Sequence, residues 1–458
     1  MSSGAGRKVT LLITAMSVFI SPFMIAAVNI ALPTMAKEFS MGAVVLGWVA
    51  TCFLLASAAL LVPFGRLADI YGRKKIFLYG MTLFTLSSLL CAISDSAAWL
   101  ISFRVLQGVS GAMTIGVAVA ILTSVFPAEE RGRAIGINMG ATYLGLSAGP
   151  FLGGVLTQQL GWRSIFYISV VLGLVVVVLV LWRLKGEWAE ARGEKFDIVG
   201  SIAFGLSIVL VMYGFTVLTT IQGIVLVVLG ILCLLVFIRW EARVTSPIFN
   251  VNLFKKNAPF VFSNIATLIN YSSAFAMAFL LSLYLQYTKG FSPQTAGLIT
   301  VVSPVFMTIF SPVAGRFSDR IEARLVASVG LAFTCGALLL FVFLSDDTGL
   351  GFIVTGLAVY GVGIGLFSSP NTNAVMSSVD KKFFGVASGA VATMRSSGMM
   401  LSMGIVMILF SIFIGQAQIT PEYYPEFLTS VKVGFIIFAV LSFGGIFIQL
   451  AARKPKQA

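Results

Sequence analysis

Few side chains in this sequence could do chemistry, and their placement narrows what that chemistry is. There is no histidine among its 458 residues, and the four cysteines (Cys52, Cys91, Cys233, Cys335) all lie inside apolar runs. Thiols so placed are buried and inert. With no CxxC pair and no Cys/His cluster, neither a metal centre nor a disulfide framework has its ligands. No nucleotide-cradling loop and no nucleophile motif is present, which argues against an enzyme and against ATP as an energy source. The 17 acids all fall at or beyond the ends of the apolar runs. Two basic residues do not. Arg104 and Arg395 each lie within an apolar run, where a charge is costly and marks a functional position unless it can snorkel to the edge. A guanidinium binds through its planar fork but does not titrate usefully. Gln107 lies one helical turn from Arg104 and shares its face. The interior of this chain therefore offers groups that bind and none, carboxyl or imidazole, that carries a proton.

The elements that must hold these residues follow from composition. Hydrophobic residues make up 58% of the chain and charged residues 10%, with a mean hydropathy of +1.01; a soluble domain has roughly 25% charged residues. A bilayer absorbs such a chain in stretches of about 20 residues. Apolar runs fall near 9–33, 44–68, 76–95, 98–126, 132–158, 163–183, 197–218, 221–239, 258–286, 294–316, 324–344, 349–370, 384–415 and 430–451, fourteen in all. They are too long and too evenly apolar for barrel strands, so helix is the spanning element. The first run lacks a small-residue cleavage site and reads as a retained span rather than a leader. With the N-terminus in the cytoplasm, all but six of the 30 Lys and Arg fall on the cytoplasmic side; Lys37, Arg163, Lys289 and Lys432 are external, and Arg104 and Arg395 are within spans. That bias supports the even span count, with both termini cytoplasmic. It also explains the net charge of +13 without nucleic acid.

The two ends of the chain echo each other. Gly65-Arg-Leu-Ala-Asp69 after the second run matches Gly315-Arg-Phe-Ser-Asp319 after the tenth, at an offset of 250 shared by Gly47 and Gly297. Gly132, Ala134, Gly136 and Gly145 match Gly385, Ala387, Gly389 and Gly398 at an offset of 253. Two matches in the same order argue for a duplicated unit whose copies run parallel across the membrane. The expected division is a six-helix bundle at 1–185, an inserted helix pair with its flanking linkers at 186–257, and a second six-helix bundle at 258–458.

Three motifs give that division a family likeness. Gly65-Arg-Leu-Ala-Asp69-Ile-Tyr-Gly72-Arg73-Lys-Lys resembles the signature cytoplasmic loop of the major facilitator superfamily, a latch that holds one access state. Arg104-Val-Leu-Gln107-Gly108-Val-Ser-Gly111 is similar to that family's fourth-helix motif. Gly145-Leu-Ser-Ala-Gly149-Pro150-Phe-Leu-Gly153-Gly154 is similar to the fifth-helix motif of members that export. Spacing by four puts Gly145, Gly149 and Gly153 on one smooth face, and Pro150 is expected to bend the helix there. Val28-Asn29-Ile-Ala-Leu-Pro33, Gly161-Trp-Arg-Ser-Ile-Phe-Tyr167 and Ser282-Leu-Tyr284-Leu-Gln286 further resemble the 14-span drug:proton antiporter branch.

The resemblance covers nearly the whole chain and implies an all-α integral membrane protein of major facilitator fold. It implies a multi-pass protein of the cell membrane that exports amphipathic drugs or other hydrophobic small molecules by alternating access, coupled to protons, with no cofactor and as a monomer. The expected partners are the bilayer and a small-molecule substrate. Candidate pocket residues are Met24, Asn29, Arg104, Gln107, Asn138, Tyr143, Asn270, Tyr284, Asn373 and Arg395; candidate latch and gating residues are Gly65, Asp69, Gly72, Arg73, Gly315, Asp319, Gly149 and Pro150. Met24 stands where members of that branch often place an aspartate, so coupling would fall to a boundary acid such as Asp69 or Glu38, or be absent. A pocket without a central acid also suits a neutral or anionic metabolite, or a lipid-like molecule, better than a cationic drug. A non-transporting sensor or a subunit of a larger assembly is the alternative of another class, and it predicts a soluble domain or long tail that this sequence does not show.

Overall fold

In hydrocarbon every backbone amide needs a partner within its own segment, and a run of 20 or more apolar residues meets that demand as a helix. The computed structural model describes residues 4–218, 220–244, 248, 257–318, 320–379 and 384–452. Among these the regular structure is helical. The helices are α1 (Gly4–Phe39), α2 (Ala43–Tyr71), α3 (Arg73–Ala92), α4 (Ala97–Val125), α5 (Ala128–Leu160), α6 (Arg163–Arg183), α7 (Ile198–Thr216), α8 (Ile221–Glu241), α9 (Ala258–Leu283), α10 in two pieces (Pro293–Thr300 and Val302–Ser318), α11 (Ala323–Val342), α12 (Leu350–Ser377), α13 (Phe384–Phe413) and α14 (Tyr424–Ala451). A π-helical turn, Tyr284–Thr288, prolongs α9. Asp319 and the basic residues at 255–256, 381–382 and 453–456 lie outside the described residues.

Local sequence sets the breaks. Gly72, at φ 119°, takes a conformation closed to most L-residues and separates α2 from α3. Ser96 caps α4 by accepting from the Trp99 amide, Asn257 caps α9 by accepting from Phe260, and Ser292 caps α10 ahead of Pro293. Thirteen described helices are long and apolar enough to cross a membrane. The remaining one, α5, has 33 residues, about 50 Å of helix. Its glycines and polar residues (Asn138, Thr142, Thr157, Gln158) dilute its hydropathy without shortening it.

The chain divides into two compact units. One comprises Met1–Met41, Trp48–Val211 and Val228–Ile248; the other comprises Gly42–Gly47, Met212–Val227 and Phe249–Ala458. Each helix of the inserted pair, α7 and α8, is thus shared, its first part falling in one unit and its second part in the other. Apolar side chains on these two helices stay largely exposed, Ile221, Val225, Leu232 and Val236 among them, a surface that suits lipid.

Within each unit the helices meet through glycine, and the meetings repeat. A Cβ added to Gly108 on α4 would fall within 3.0 Å of the Phe53 carbonyl on α2; one added to Gly361 on α12 would do so at the Ser303 carbonyl on α10. Gly145 on α5 lies against the Phe19 carbonyl of α1, and Gly398 on α13 against the Leu268 carbonyl of α9. Gly80 on α3 meets Met113 and Thr114 of α4, and Gly330 on α11 meets Leu366 and Phe367 of α12. These pairs keep the offsets of 250 and 253 seen in the sequence, extended to 249 for α1 and α9. The duplication is therefore written in helix contacts as well as in motifs.

These contacts make one stability test direct. Gly108→Ala forces a Cβ into the α2 backbone, whereas Gly136 has nothing within 4 Å of its would-be Cβ. Gly108→Ala is expected to cost about 1–3 kcal/mol and to lower the midpoint of thermal unfolding in detergent by several degrees, while Gly136→Ala leaves it in place. Equal midpoints would show that the α2–α4 approach is not tight.

Candidate functional site

The first unit holds the candidate latch loop. Asp69 lies in the last turn of α2, Gly72 turns the chain, and Arg73 opens α3. The Arg73 guanidinium is buried and fully engaged: it pairs with Asp69 at 2.7–2.9 Å and Glu190 at 2.7 Å, and donates to Ser124 Oγ and the Ala120 carbonyl of α4. The partners extend into the linker after α6. The Arg73 amide donates to the Trp188 carbonyl at 2.8 Å, Ala191 donates to the Asp69 carbonyl at 3.0 Å, and the Lys74 amide donates to Glu187 Oε1 at 2.8 Å. Arg66 pairs with Glu194. The loop and linker 184–197 thus form one charge-paired layer. Gly72 makes the turn; Gly65 is mid-helix with open space around it, as distinct from the close approach its motif position suggests. Gly315 sits in the second piece of α10, near Ser369.

Arg104 and Gln107 lie inside the same unit. Arg104 is 1% exposed. Its Nε donates to the Val49 carbonyl of α2 at 3.2 Å and one terminal nitrogen to Gln107 Oε1 at 2.6 Å; its carbon lies 5.0 Å from the Phe53 ring centroid. Gln107 passes the chain on, donating to Ser88 Oγ of α3 at 2.7 Å. A buried cation without an acid is here solvated by a carbonyl, an amide and an aromatic face. The arrangement ties α2, α3 and α4 together.

Helix α5 runs unbroken through Pro150, and its glycine face lies on α1. Would-be Cβ atoms at Gly149 and Gly153 collide with Phe23, Ala26 and Ala27, continuing the Gly145 contact. Met24 and Asn29 are buried on α1, and Asn138 on α5 is buried with its Oδ1 unpartnered; Tyr143 is half-buried.

In the second unit, Asn264, Thr267, Asn270 and Tyr271 form a polar stripe along α9. Asn371 of α12 donates to Thr267 Oγ1 at 2.7 Å, Tyr271 meets Ser368 at 3.3 Å, and Ser273 meets the Tyr360 hydroxyl at 3.1 Å. Asn270 is fully buried with neither amide atom bonded, and the Oδ1 atoms of Asn264 and Asn371 are also unpartnered. Arg395 of α13 lies over the Tyr271 ring, 4.8 Å from its centroid. The other candidates stand apart. Tyr284 is about 21 Å further along α9 than Asn270, its hydroxyl donating to the Ser345 carbonyl at 2.7 Å. Asn373 is exposed, donating to Ser318 Oγ at 2.8 Å. Sequence reasoning did not anticipate Ser88, Ser124, Glu190 or Ser368 as partners. The acids crowded into 187–194, opposite a basic loop, were the one signal available.

The model of the Major Facilitator Superfamily matches residues 14–403 and again 263–457. The riboflavin transporter RibZ of Clostridioides difficile is 31% identical over 90% of this chain and 89% of its own. The multidrug resistance protein Stp of Mycobacterium tuberculosis is 30% identical over 87% of this chain and 75% of its own. Among solved structures, a bacterial homologue of the human lysosomal transporter Spinster superposes with a TM-score of 0.72 at 15% identity, over 99% of this chain and 98% of that one.

The pairing geometry around Arg73 predicts a proteolytic phenotype. With Arg73→Ala the linker loses the group on which Asp69 and Glu190 converge, so tryptic cleavage at Lys185, Arg192 and Lys195 is expected to accelerate at least about tenfold. Exposed Lys75→Ala serves as the control at the native rate. Equal cleavage of all three proteins would show that the linker is held by other contacts.

Proposed function

The chain belongs to the major facilitator superfamily, and from that premise we propose that it is a secondary active exporter of amphipathic small molecules. The observation that carries this reading is the α1–α5 seam. Gly145, Gly149 and Gly153 lie directly on the α1 backbone, in the motif that resembles the one in exporting members. A seam without side chains lets two helices move as one body around a midplane site, as alternating access requires. The names of two relatives, a riboflavin transporter and a multidrug resistance protein, support export of drugs or of one metabolite.

Coupling to protons is the finer part of the proposal. No carboxylate occupies a mid-span position in the sequence, so the proton site is placed at the loop latch. Protonation of Asp69 removes its attraction for Arg73, weakens the layer that includes Glu190 and the linker, and frees the loop for the opposite access state. The charge bias supports a cytoplasmic position for this layer and for both termini, in a protein taken to reside in the cell membrane.

Everted membrane vesicles offered a dye panel in the medium, on their exposed cytoplasmic face, test both parts. Dye movement that falls about tenfold or more when the pH gradient is collapsed supports proton antiport. Movement indifferent to the gradient removes it and leaves the exporter. Asp69→Asn is expected to abolish stimulation by the gradient while downhill dye movement persists; full gradient-driven export by this variant would clear Asp69 of the role.

A further inference from the structure

Resting on the transport reading above, we propose that Arg395 and Tyr271 form an anchor for the carboxylate of an amphipathic organic anion, which makes monoanions a substrate class of this protein. Arg395 is the sole charge of α13 and lies eight residues into its apolar stretch Ala387–Phe413, about 12 Å along the axis. Among the described residues its guanidinium meets no acid and no hydrogen-bond acceptor. The guanidinium lies over the Tyr271 ring at 4.8 Å from its centroid, and its Nε is buried without a hydrogen-bond partner. The residue is half-buried, and the terminal nitrogens, unlike Nε, are not among its buried atoms, so they remain open to a ligand.

Two comparisons within the molecule set this charge apart. Arg104, the other intramembrane guanidinium, has its Nε and one terminal nitrogen satisfied by Val49 and Gln107 and is fully buried. The repeat gives the second comparison. At the offset of 253 that relates Gly145 to Gly398, the counterpart of Arg395 is Thr142, which donates to the Asn138 carbonyl of its own helix. At the offset of 249 that relates Phe19 to Leu268, the counterpart of Tyr271 is Pro22. Thr142 and Pro22, with no cation and no aromatic ring between them, occupy the same place in the helix pair of the other half.

The anchor is held rigidly. Gly398, one turn after Arg395, brings α13 onto α9, where a Cβ would meet the Leu268 carbonyl, the Ser272 amide and Tyr271 Cβ. The Tyr271 hydroxyl is fixed by Ser368. A planar fork carrying one positive charge matches one carboxylate, both in geometry and in charge; a phosphate dianion would be left half-neutralised. The neutral and apolar remainder of α13 suits an apolar body behind that headgroup.

The test uses 1-naphthaleneacetate and its neutral isostere 1-naphthaleneacetamide, radiolabelled, with vesicles containing the wild-type protein, R395K or R395Q. Wild type is expected to move the carboxylate in preference to the amide. R395Q is expected to reduce that preference at least about tenfold, and R395K to retain part of it, since lysine keeps the charge without the fork. A wild-type protein that moves the amide as well as or better than the carboxylate overturns the proposal without recourse to any variant. So does R395Q with its preference intact. Either result, alongside dye export by the wild type, leaves the exporter standing; a wild type that moves no dye and neither probe defeats the exporter reading itself.

Discussion

Helices already surrounded by hydrocarbon gain nothing by exchanging lipid for one another, so the association of this bundle depends on how closely backbones can approach. Glycine supplies that approach. The contacts at Gly80, Gly108 and Gly145 hold α3, α4 and α5 against their neighbours, and Gly330, Gly361 and Gly398 hold their counterparts. Everything placed on those helices inherits its position from them. Arg104 reaches the Val49 carbonyl because α2 and α4 touch at Gly108, and Arg395 reaches Tyr271 because α9 and α13 touch at Gly398.

Against that frame the guanidinium groups sort by what satisfies them. Arg73, at a helix end, is neutralised by two carboxylates and becomes the centre of a layer joining loop, linker and α4. Arg104, at depth, is solvated by neutral dipoles and an aromatic face. Arg395, also at depth, has an aromatic face and, among the described residues, no acid and no hydrogen-bond acceptor. The same side chain thus serves as an ion-pair centre, a structural tie and an open donor, according to what the surrounding helices present to it. The unpartnered amides of Asn264, Asn270 and Asn371 give the second unit a further excess of polar groups over internal partners.

The helices were legible in the sequence because a run of apolar residues long enough to span has one backbone solution. The repeat was legible because close approach demands glycine at a fixed position, and Gly145 and Gly398 show that demand in both halves. What remained hidden were pairings between residues far apart in the chain. Glu190 meets Arg73 across 117 residues, and Ser88 meets Gln107 through a helix neighbour that no periodicity specifies. The family's loop motif pointed to both Gly65 and Gly72, yet φ distinguishes them: the turn falls at Gly72, and Gly65 is an ordinary helical residue. The break of α10 at Val301 follows Thr300, whose carbonyl would have accepted from residue 304; Pro304 has no amide hydrogen to give, a mark overlooked in a run that reads as one span. Of the candidate pocket residues, Tyr284 and Asn373 had the right type but lie at helix ends, a matter of depth that residue type alone does not encode.

The uncompensated Arg395 has an electrical consequence. A fixed positive charge that moves with its helices through part of the bilayer feels the membrane potential, and a full crossing by one charge is worth about 2.3 kcal/mol per 100 mV. A bound monoanion would cancel that charge, so the occupied and empty protein would respond differently to voltage. An interior-negative cell would then favour the outward release of the anion and draw the empty, positively charged form back, making the electric field itself a source of direction in a protein whose sequence places no carboxylate mid-span.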